Sequence, residues 1–299
     1  MRARYPDRED FVDRDGVGIY YEVYENDGPT VVLVPTTTIW HSQQWKAQIH
    51  YLARHFRVVT FDGRGNGKSD KPESVEAYRD EELIGDIVAA LDATETERGI
   101  LVALCHAVPW AIDIAVRAPE RVLGLVAIAP GVPHIAPSQP HYVAAGERWG
   151  NVLDRYQGWE MCNRHFWLTD YPTWIDFFFS ELLPEPHSTK QHEDAVFWAL
   201  GTTGPIRVSE LAARSMDAMG RDQVVTMCRQ VTQPVLVIHG DRDQCQSVER
   251  GRALAELTGG TLVVLEGGGH APHARDPVKV NLAIKDFVDR IAARQVVPA

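Results

Sequence analysis

Cysteine is scarce in this chain. Four occur among 299 residues, at positions 105, 162, 228 and 245, with no C-x-x-C spacing. A disulfide scaffold is therefore excluded, and a reducing, cytoplasmic setting is expected. Positive charge is also short: 30 Lys and Arg stand against 41 Asp and Glu, a formal charge of -11 with no basic run. Phosphate backbones and anionic lipid surfaces are repelled, which argues against nucleic acid and membrane partners. No stretch approaches the roughly 18 uninterrupted apolar residues of a membrane span, and Met1-Arg-Ala-Arg-Tyr-Pro-Asp7 lacks the apolar region of an export signal. His134, His141, His187, His192 and His273 form neither H-E-x-x-H nor a ligand cluster, so no metal is expected. The tempting run Gly63-Arg-Gly-Asn-Gly-Lys-Ser69 lacks the P-loop's first glycine, because Asp62 stands there. It also fails G-x-G-x-x-G at Lys68, so neither nucleotide nor other cofactor is expected. Internal repeats, linkers and low-complexity segments are missing too.

What is present is a large core: 44% of residues are hydrophobic, enough for one large domain. A short piece at Phe11 and a strand at Ile19 to Tyr24 flank Asp15-Gly-Val-Gly18, the pattern of an opening hairpin. Short apolar runs follow at residues 30–34, 58–61, 100–104 and 123–128. Helical periodicity lies between them at residues 41–55, with Trp45, Ile49 and Leu52, and at residues 81–93, with Leu83, Ile87 and Leu91. Strands apolar on both faces, alternating with helices, predict an α/β fold with a mostly parallel, doubly wound sheet.

The alternation stops after Pro130. Residues 131–228 hold no clear strand yet carry 13 of the 26 aromatic residues, so half the aromatics sit in a third of the chain. A helical subdomain is expected there, its aromatics mostly its own core, with some lining a pocket. Alternation resumes with strands at residues 235–238 and 261–265 and helices at residues 247–257 and 276–293. The expected organisation is a core of residues 1–130 and 229–299 with a helical cap of residues 131–228.

Cys105 lies where the run Leu101-Val-Ala-Leu104 ends and an Ala-rich helix begins. A sharp strand-to-helix turn lifts its side chain clear of the sheet and aims the helix N-terminus at it. Ala103 and Ala107 replace the glycines of the G-x-S-x-G nucleophile elbow, giving A-x-C-x-A. From this pentapeptide alone, a buried structural cysteine is an equal reading. Acyl transfer through a thiol needs a base and an orienting carboxylate. His239-Gly-Asp-Arg-Asp243 follows one late strand and Gly267-Gly-Gly-His270 the next, so acid and imidazole emerge from carboxyl ends of parallel strands, where open α/β sheets bind ligands.

Together these motifs resemble the α/β-hydrolase family, whose triad runs nucleophile, acid, histidine in chain order. The resemblance covers nearly the whole length. It includes Asp62-Gly-Arg-Gly-Asn-Gly-Lys-Ser69 as the glycine-rich turn after the fourth strand and Pro119-Glu-Arg-Val122 as the link into the sixth. It implies an α/β-hydrolase fold with an inserted helical cap, and Cys105, Asp243 and His270 as the catalytic set. Asp243 is preferred to Asp241 because the second aspartate of that loop usually serves. Two departures stand out. The family's His-Gly after the third strand is Pro35-Thr36 here, followed by Thr37 and Thr38, so the amides of Thr37 and His106 are the expected oxyanion donors. Cysteine also replaces serine, which favours thioesters, acyl transfer or cyclisation. Thr36, Trp110, Trp167 and Phe178 are expected to touch substrate. The His106 side chain faces either the cavity or the cap. Cys245 reads first as packing, with oxidation sensing or pairing with Cys105 as the alternative. The resemblance implies a cofactor-free hydrolase or acyl-transfer enzyme for an ester, thioester or lactone of a mid-sized apolar or aromatic molecule. The alternatives are a non-hydrolytic cyclase, acyltransferase or lyase, and a silent ligand-binding protein. Partners are limited to a small-molecule substrate, with the oligomeric state, homodimer included, left open.

Overall fold

The computed structural model describes residues 4–296. Its centre is one eight-stranded sheet in the order β1-β2-β4-β3-β5-β6-β7-β8. β1 (Arg8–Arg14) and β2 (Val17–Tyr24) form the opening hairpin, turning through Asp15 and Gly16 at φ 53° and 83°. β2 pairs antiparallel with β4 (Arg57–Phe61). The remainder, β3 (Thr30–Val34), β5 (Gly99–Leu104), β6 (Val122–Ile128), β7 (Val235–Gly240) and β8 (Thr261–Leu265), run parallel to β4. β1 is longer than the short piece expected at Phe11. It is an edge strand bonded only to β2, so its charged, exposed residues need bury nothing and leave no hydrophobic signal.

Helices cover both faces. α2 (Asp80–Ala93), α3 (Ala107–Arg117), α8 (Arg221–Arg229) and α9 (Val248–Thr258) pack one apolar cluster through Leu83, Ile112, Val224 and Leu254. α1 (Lys46–Leu52) and α11 (Pro277–Val296) close the other through Ile49, Leu52, Ile284 and Val288. The single helix expected at residues 41–55 is a tight 3-10 turn, Ser42–Trp45, followed by the shorter α1. Trp45 is pinned there by its indole N–H, which donates to the Val34 carbonyl at 3.2 Å.

Between β6 and β7 the described residues form no strand. α4 (Pro140–Glu147), α5 (Arg164–Leu182), α6 (Thr189–Ala199) and α7 (Gly204–Ala213) occupy that insertion, and α5 bends at Asp170, two residues before Pro172. α8 differs from expectation. It falls inside the 131–228 span, yet Val224 and Cys228 are buried beside α3 and α9, so the insertion returns to the core before residue 228. Among the described residues no helix is long and apolar enough to cross a membrane.

Candidate active site

Cys105 follows directly on β5 at φ 53°, a left-handed conformation rare for a residue with a side chain. The strain is held by backbone bonds: its N–H donates to the Ile128 carbonyl at 2.9 Å, and its carbonyl accepts from Val108 at 3.1 Å and Gly131 at 2.9 Å. Ala103 and Ala107 are fully buried beside the turn. A Cβ at Gly131 would lie 3.0 Å from the Cys105 carbonyl carbon and 3.1 Å from the His106 nitrogen. Gly131 is thus a further small residue that the elbow requires, outside the pentapeptide.

Asp243 is fully enclosed in a dense set of donors. Its Oδ1 accepts from the amides of Cys245 at 2.7 Å and Gln246 at 2.9 Å. Its Oδ2 faces His270 Nδ1 at 2.8 Å and His239 Nε2 at 3.1 Å. Burial alone would raise this carboxyl group, but the two histidines outweigh it and hold it well below the usual carboxylate range. His270 shows the reciprocal effect: burial opposes protonation, yet the Asp243 charge and then Cys245 carry its pKa well above the ordinary histidine value. Asp241 plays a separate part, accepting from the Gly267 amide at 2.7 Å in an exposed turn.

The Cys105 sulfur, the Cys245 sulfur and a His270 ring nitrogen all lie within 4.8 Å of one another. Cys245 therefore belongs to the site rather than to distant packing. It also contacts the Tyr142 hydroxyl at 3.3 Å, and burial drives its thiol well above the ordinary cysteine value. Two sulfurs and an imidazole backed by a carboxylate form a group a thiophilic ion could use, at the cost of occupying Cys105.

Thr37 and His106 line the same cavity, and the amide of neither donates to another described residue. Thr38 is locked by Glu210 of α7, whose Oε2 accepts its amide at 3.1 Å and its hydroxyl at 2.5 Å. The glycine-rich turn supports this loop from below: Asn66 Nδ2 donates to the Thr38 carbonyl at 2.5 Å, and Asp62 accepts the Ser42 and Lys68 amides at 2.9 and 2.8 Å. The His106 side chain turns to the cap, its Nε2 accepting from Arg214 at 3.0 Å. Burial, then the Arg214 charge, pushes its pKa well down, so it is a neutral ring.

A cavity of about 370 Å³ opens above Cys105. Thr36, Trp167 and Phe178 line it, together with Trp149, Trp174 and Leu182. Trp110 does not. Its indole points into the α2–α3 interface and donates to Asp80 Oδ1 at 2.7 Å, because residue 110 lies one turn past the elbow on the buried face of α3. Arg207, Arg214, Gln246 and Arg250 also line the cavity and were not singled out from the sequence. For the first two, the spacing Arg207-x-x-Glu210-x-x-x-Arg214, running from α7 to the residue just past its end, was the available signal. The cap reaches the histidine loop too: the amide of His270 donates to the Leu182 carbonyl at 3.1 Å, and that of Gly269 to Glu185 Oε1 at 2.7 Å.

Comparison with known proteins agrees with this architecture. The family described as alpha/beta hydrolase fold matches residues 29–277. Epoxide hydrolase B of Mycobacterium tuberculosis is 38% identical over 109 residues, 35% of this chain but only 30% of that protein's length. 3-Oxoadipate enol-lactonase 2 of Acinetobacter baylyi is 27% identical over 247 residues, 82% of this chain and 84% of that protein. The crystal structure of a bromoperoxidase from Bacillus anthracis superposes with a TM-score of 0.76 at 20% identity, covering 94% of this chain and 100% of the other, a likeness of fold.

Proposed function

The chain belongs to the α/β-hydrolase family, and from that premise we propose that it is a cofactor-free hydrolase or acyl-transfer enzyme acting at an ester, thioester or lactone carbonyl, with Cys105 as nucleophile. The observation that carries this reading is a thiol on a strained elbow at φ 53°, beside two unengaged amides and a carboxylate-backed histidine. In the acylation step the Cys105 sulfur attacks the carbonyl carbon while His270 takes the thiol proton. The oxygen gains negative charge between the Thr37 and His106 N–H groups. Collapse expels the alcohol or thiol, which receives the proton from His270, and leaves a thioester on Cys105. Water, or an acceptor nucleophile, then attacks with His270 as base and frees the thiol. Asp243 keeps Nδ1 protonated so that the other ring nitrogen does the proton transfer.

The same thiol argues for a carbonyl substrate over an epoxide. A sulfur that opens an epoxide forms a thioether, which has no carbonyl for water to attack, so turnover would stop after one cycle. The aromatic cap residues Trp149, Trp167, Trp174 and Phe178 supply an apolar wall for the substrate body.

Incubation with 4-nitrophenyl acetate, quenched early, tests the proposal. An acetyl adduct on Cys105 by intact and peptide mass spectrometry is the expected result, together with steady release of nitrophenol. Undiminished turnover by Cys105→Ala would overturn it.

A further inference from the structure

The three arginines around the cavity are not equivalent. Arg207 and Arg214 share Glu210, Arg207 by a short contact and Arg214 at 3.3 Å, and Arg214 also lies 4.0 Å from Asp217. Arg250, in the first turn of α9, is as well buried, at 8% exposure, but no carboxylate among the described residues comes within ion-pair distance. Its partners are neutral: the Gln246 side-chain oxygen on Nη1 and the Ser138 hydroxyl on Nη2 at 2.6 Å, while its buried Nε has none. Of five N–H donors, two are engaged. Asp243 cannot serve as counter-ion, since both its oxygens are committed to His270, His239 and two amides.

A buried cation without an anion is costly and rare, because solvation is lost and no opposite charge replaces it. Counting the charges around the cavity, His270 is matched by Asp243, while Arg207, Arg214 and Arg250 face only Glu210 and Asp217, which leaves one positive charge in surplus. Burial pushes the Arg250 guanidinium below its ordinary value and outweighs Cys105, Cys245, Asp217 and Asp243, none of which pairs with it directly. For Arg214 burial acts in the same direction, but Glu210 and Asp217 outweigh it and the net shift is upward.

We infer that the missing anion is a carboxylate on the substrate, with Arg250 as its counter-ion and thus a specificity-determining residue. The inference rests on the reading of this cavity as the substrate site. Gln246 fixes where the carboxylate sits. Its oxygen must face Arg250, since a guanidinium only donates, so its Nε2 faces the Cys105 and Cys245 sulfurs, each at 3.7 Å. The guanidinium is one amide away from the nucleophile. The carboxylate therefore belongs to the acyl half of the substrate, a few bonds from the reacting carbonyl. One surplus charge and a planar donor fork match a single carboxylate, and the aromatic wall takes the rest of the molecule.

Two readouts on the full chain, at constant ionic strength, test this. In the first, iodoacetamide alkylation of Cys105 is followed with succinate or with neutral succinamide present. Succinate should protect and succinamide should not, and Arg250→Gln should lose the protection while Arg250→Lys keeps part of it. In the second, 4-nitrophenyl hydrogen succinate is compared with its methyl ester. The acid should be preferred in kcat/KM by about 10- to 100-fold, mostly through KM, the scale of a charge-assisted hydrogen bond. Arg250→Gln should abolish that preference without lowering the melting temperature, because a buried cation without an anion does not stabilise the free protein. Equal rates for the two esters with no protection by succinate would overturn the carboxylate site and leave the hydrolase reading standing. Protection by succinate with neither ester acylating Cys105 would do the reverse. Slower alkylation of ligand-free Arg250→Gln, with both esters impaired alike, would make Arg250 a thiolate-stabilising group and sink the inference.

Discussion

The floor of the cavity and its roof are held by different forces. Cys105, Asp243 and His270 stand on loops that leave β5, β7 and β8, and the backbone fixes them: the elbow by three main-chain bonds, Asp243 by two amides. The roof is joined mainly through side chains. Trp167 and Trp174 lie 4.2 Å apart by ring centroids, Trp174 stacks on Phe178 at 4.9 Å, and Glu210 ties α7 to Thr38 and two arginines. On the proposed function, chemistry rests on positions held by the main chain, and substrate choice on side chains that can change without moving it.

If the floor carries the chemistry, Cys105→Ala should have the largest effect, a loss of kcat on the order of 10⁴- to 10⁶-fold with the fold intact by circular dichroism. Asp243→Asn should follow at up to about 10⁴-fold, softened toward about 10²-fold if thiolate and imidazolium already coexist before substrate binds. Asp241→Asn should stay within about 0.5 kcal/mol of the parent, because its side chain is exposed. The pH dependence follows from the pair. Asp243 sits below its unfolded value, so its contribution to stability is present above pH of about 4 and lost as pH falls through the folded pKa. His270 sits above its unfolded value, so its contribution is full below pH of about 6.5 and lost as pH rises through the folded pKa. In Asp243→Asn burial loses its main opponent, and the limb of the kcat/KM profile that reports His270 should move to lower pH. A limb that stays put would show that Asp243 does not govern His270.

Breaking the roof should look different. Glu210→Gln leaves Arg207 and Arg214 buried without their shared carboxylate, a change that costs about 3–5 kcal/mol when a buried pair loses one member. Denaturant melts should show that loss. KM should rise as Thr38 and α7 loosen, while alkylation of Cys105 by iodoacetamide changes little. Equal loss of alkylation would mean that floor and roof are one mechanical unit.

The floor was the legible part, for the same reason. Backbone-held positions announce themselves through short-range patterns: a β run ending at Cys105, small residues at 103 and 107, glycines before His270, an aspartate after β7. These follow from sterics within a few residues. The roof depends on contacts between residues far apart in the chain, such as Thr38 with Glu210 or Ser138 with Arg250, and no local pattern encodes them. Trp110 shows the limit directly. Its position after the elbow suggested a substrate contact, but helix phase turns it inward to Asp80. Cys245 shows the converse, a residue read as packing that the loop after Asp243 folds back onto Cys105. The full length of the edge strand β1 and the return of α8 to the core were not legible, because neither has a local apolar signature that distinguishes it.

The smallest effect at neutral pH is expected at His273, three residues past His270 and the sharpest contrast to it. Both rings are buried, but His273 has no carboxylate: it lies between Trp40 and Trp45, at 5.6 and 4.8 Å by ring centroids, and neither ring nitrogen has a partner among the described residues. Burial first, and then the charge of His270, lowers its pKa to about 3. The folded protein therefore keeps His273 neutral while the unfolded chain protonates it near pH 6.5, so its contribution is neutral above that value and turns against folding as pH falls toward 3. At pH 4 the deficit is roughly 3 kcal/mol by linkage. His273→Phe removes the titrating ring and keeps the aromatic packing. The Gln48 side chain still donates to the backbone carbonyl of residue 273, at 2.8 Å in the parent. Turnover at neutral pH should be unchanged within about twofold, and the acid unfolding midpoint should move to lower pH. An unchanged acid midpoint would mean that His273 escapes its pocket before it protonates, and that the local environment, which separates it from His270 in this account, does not act on it.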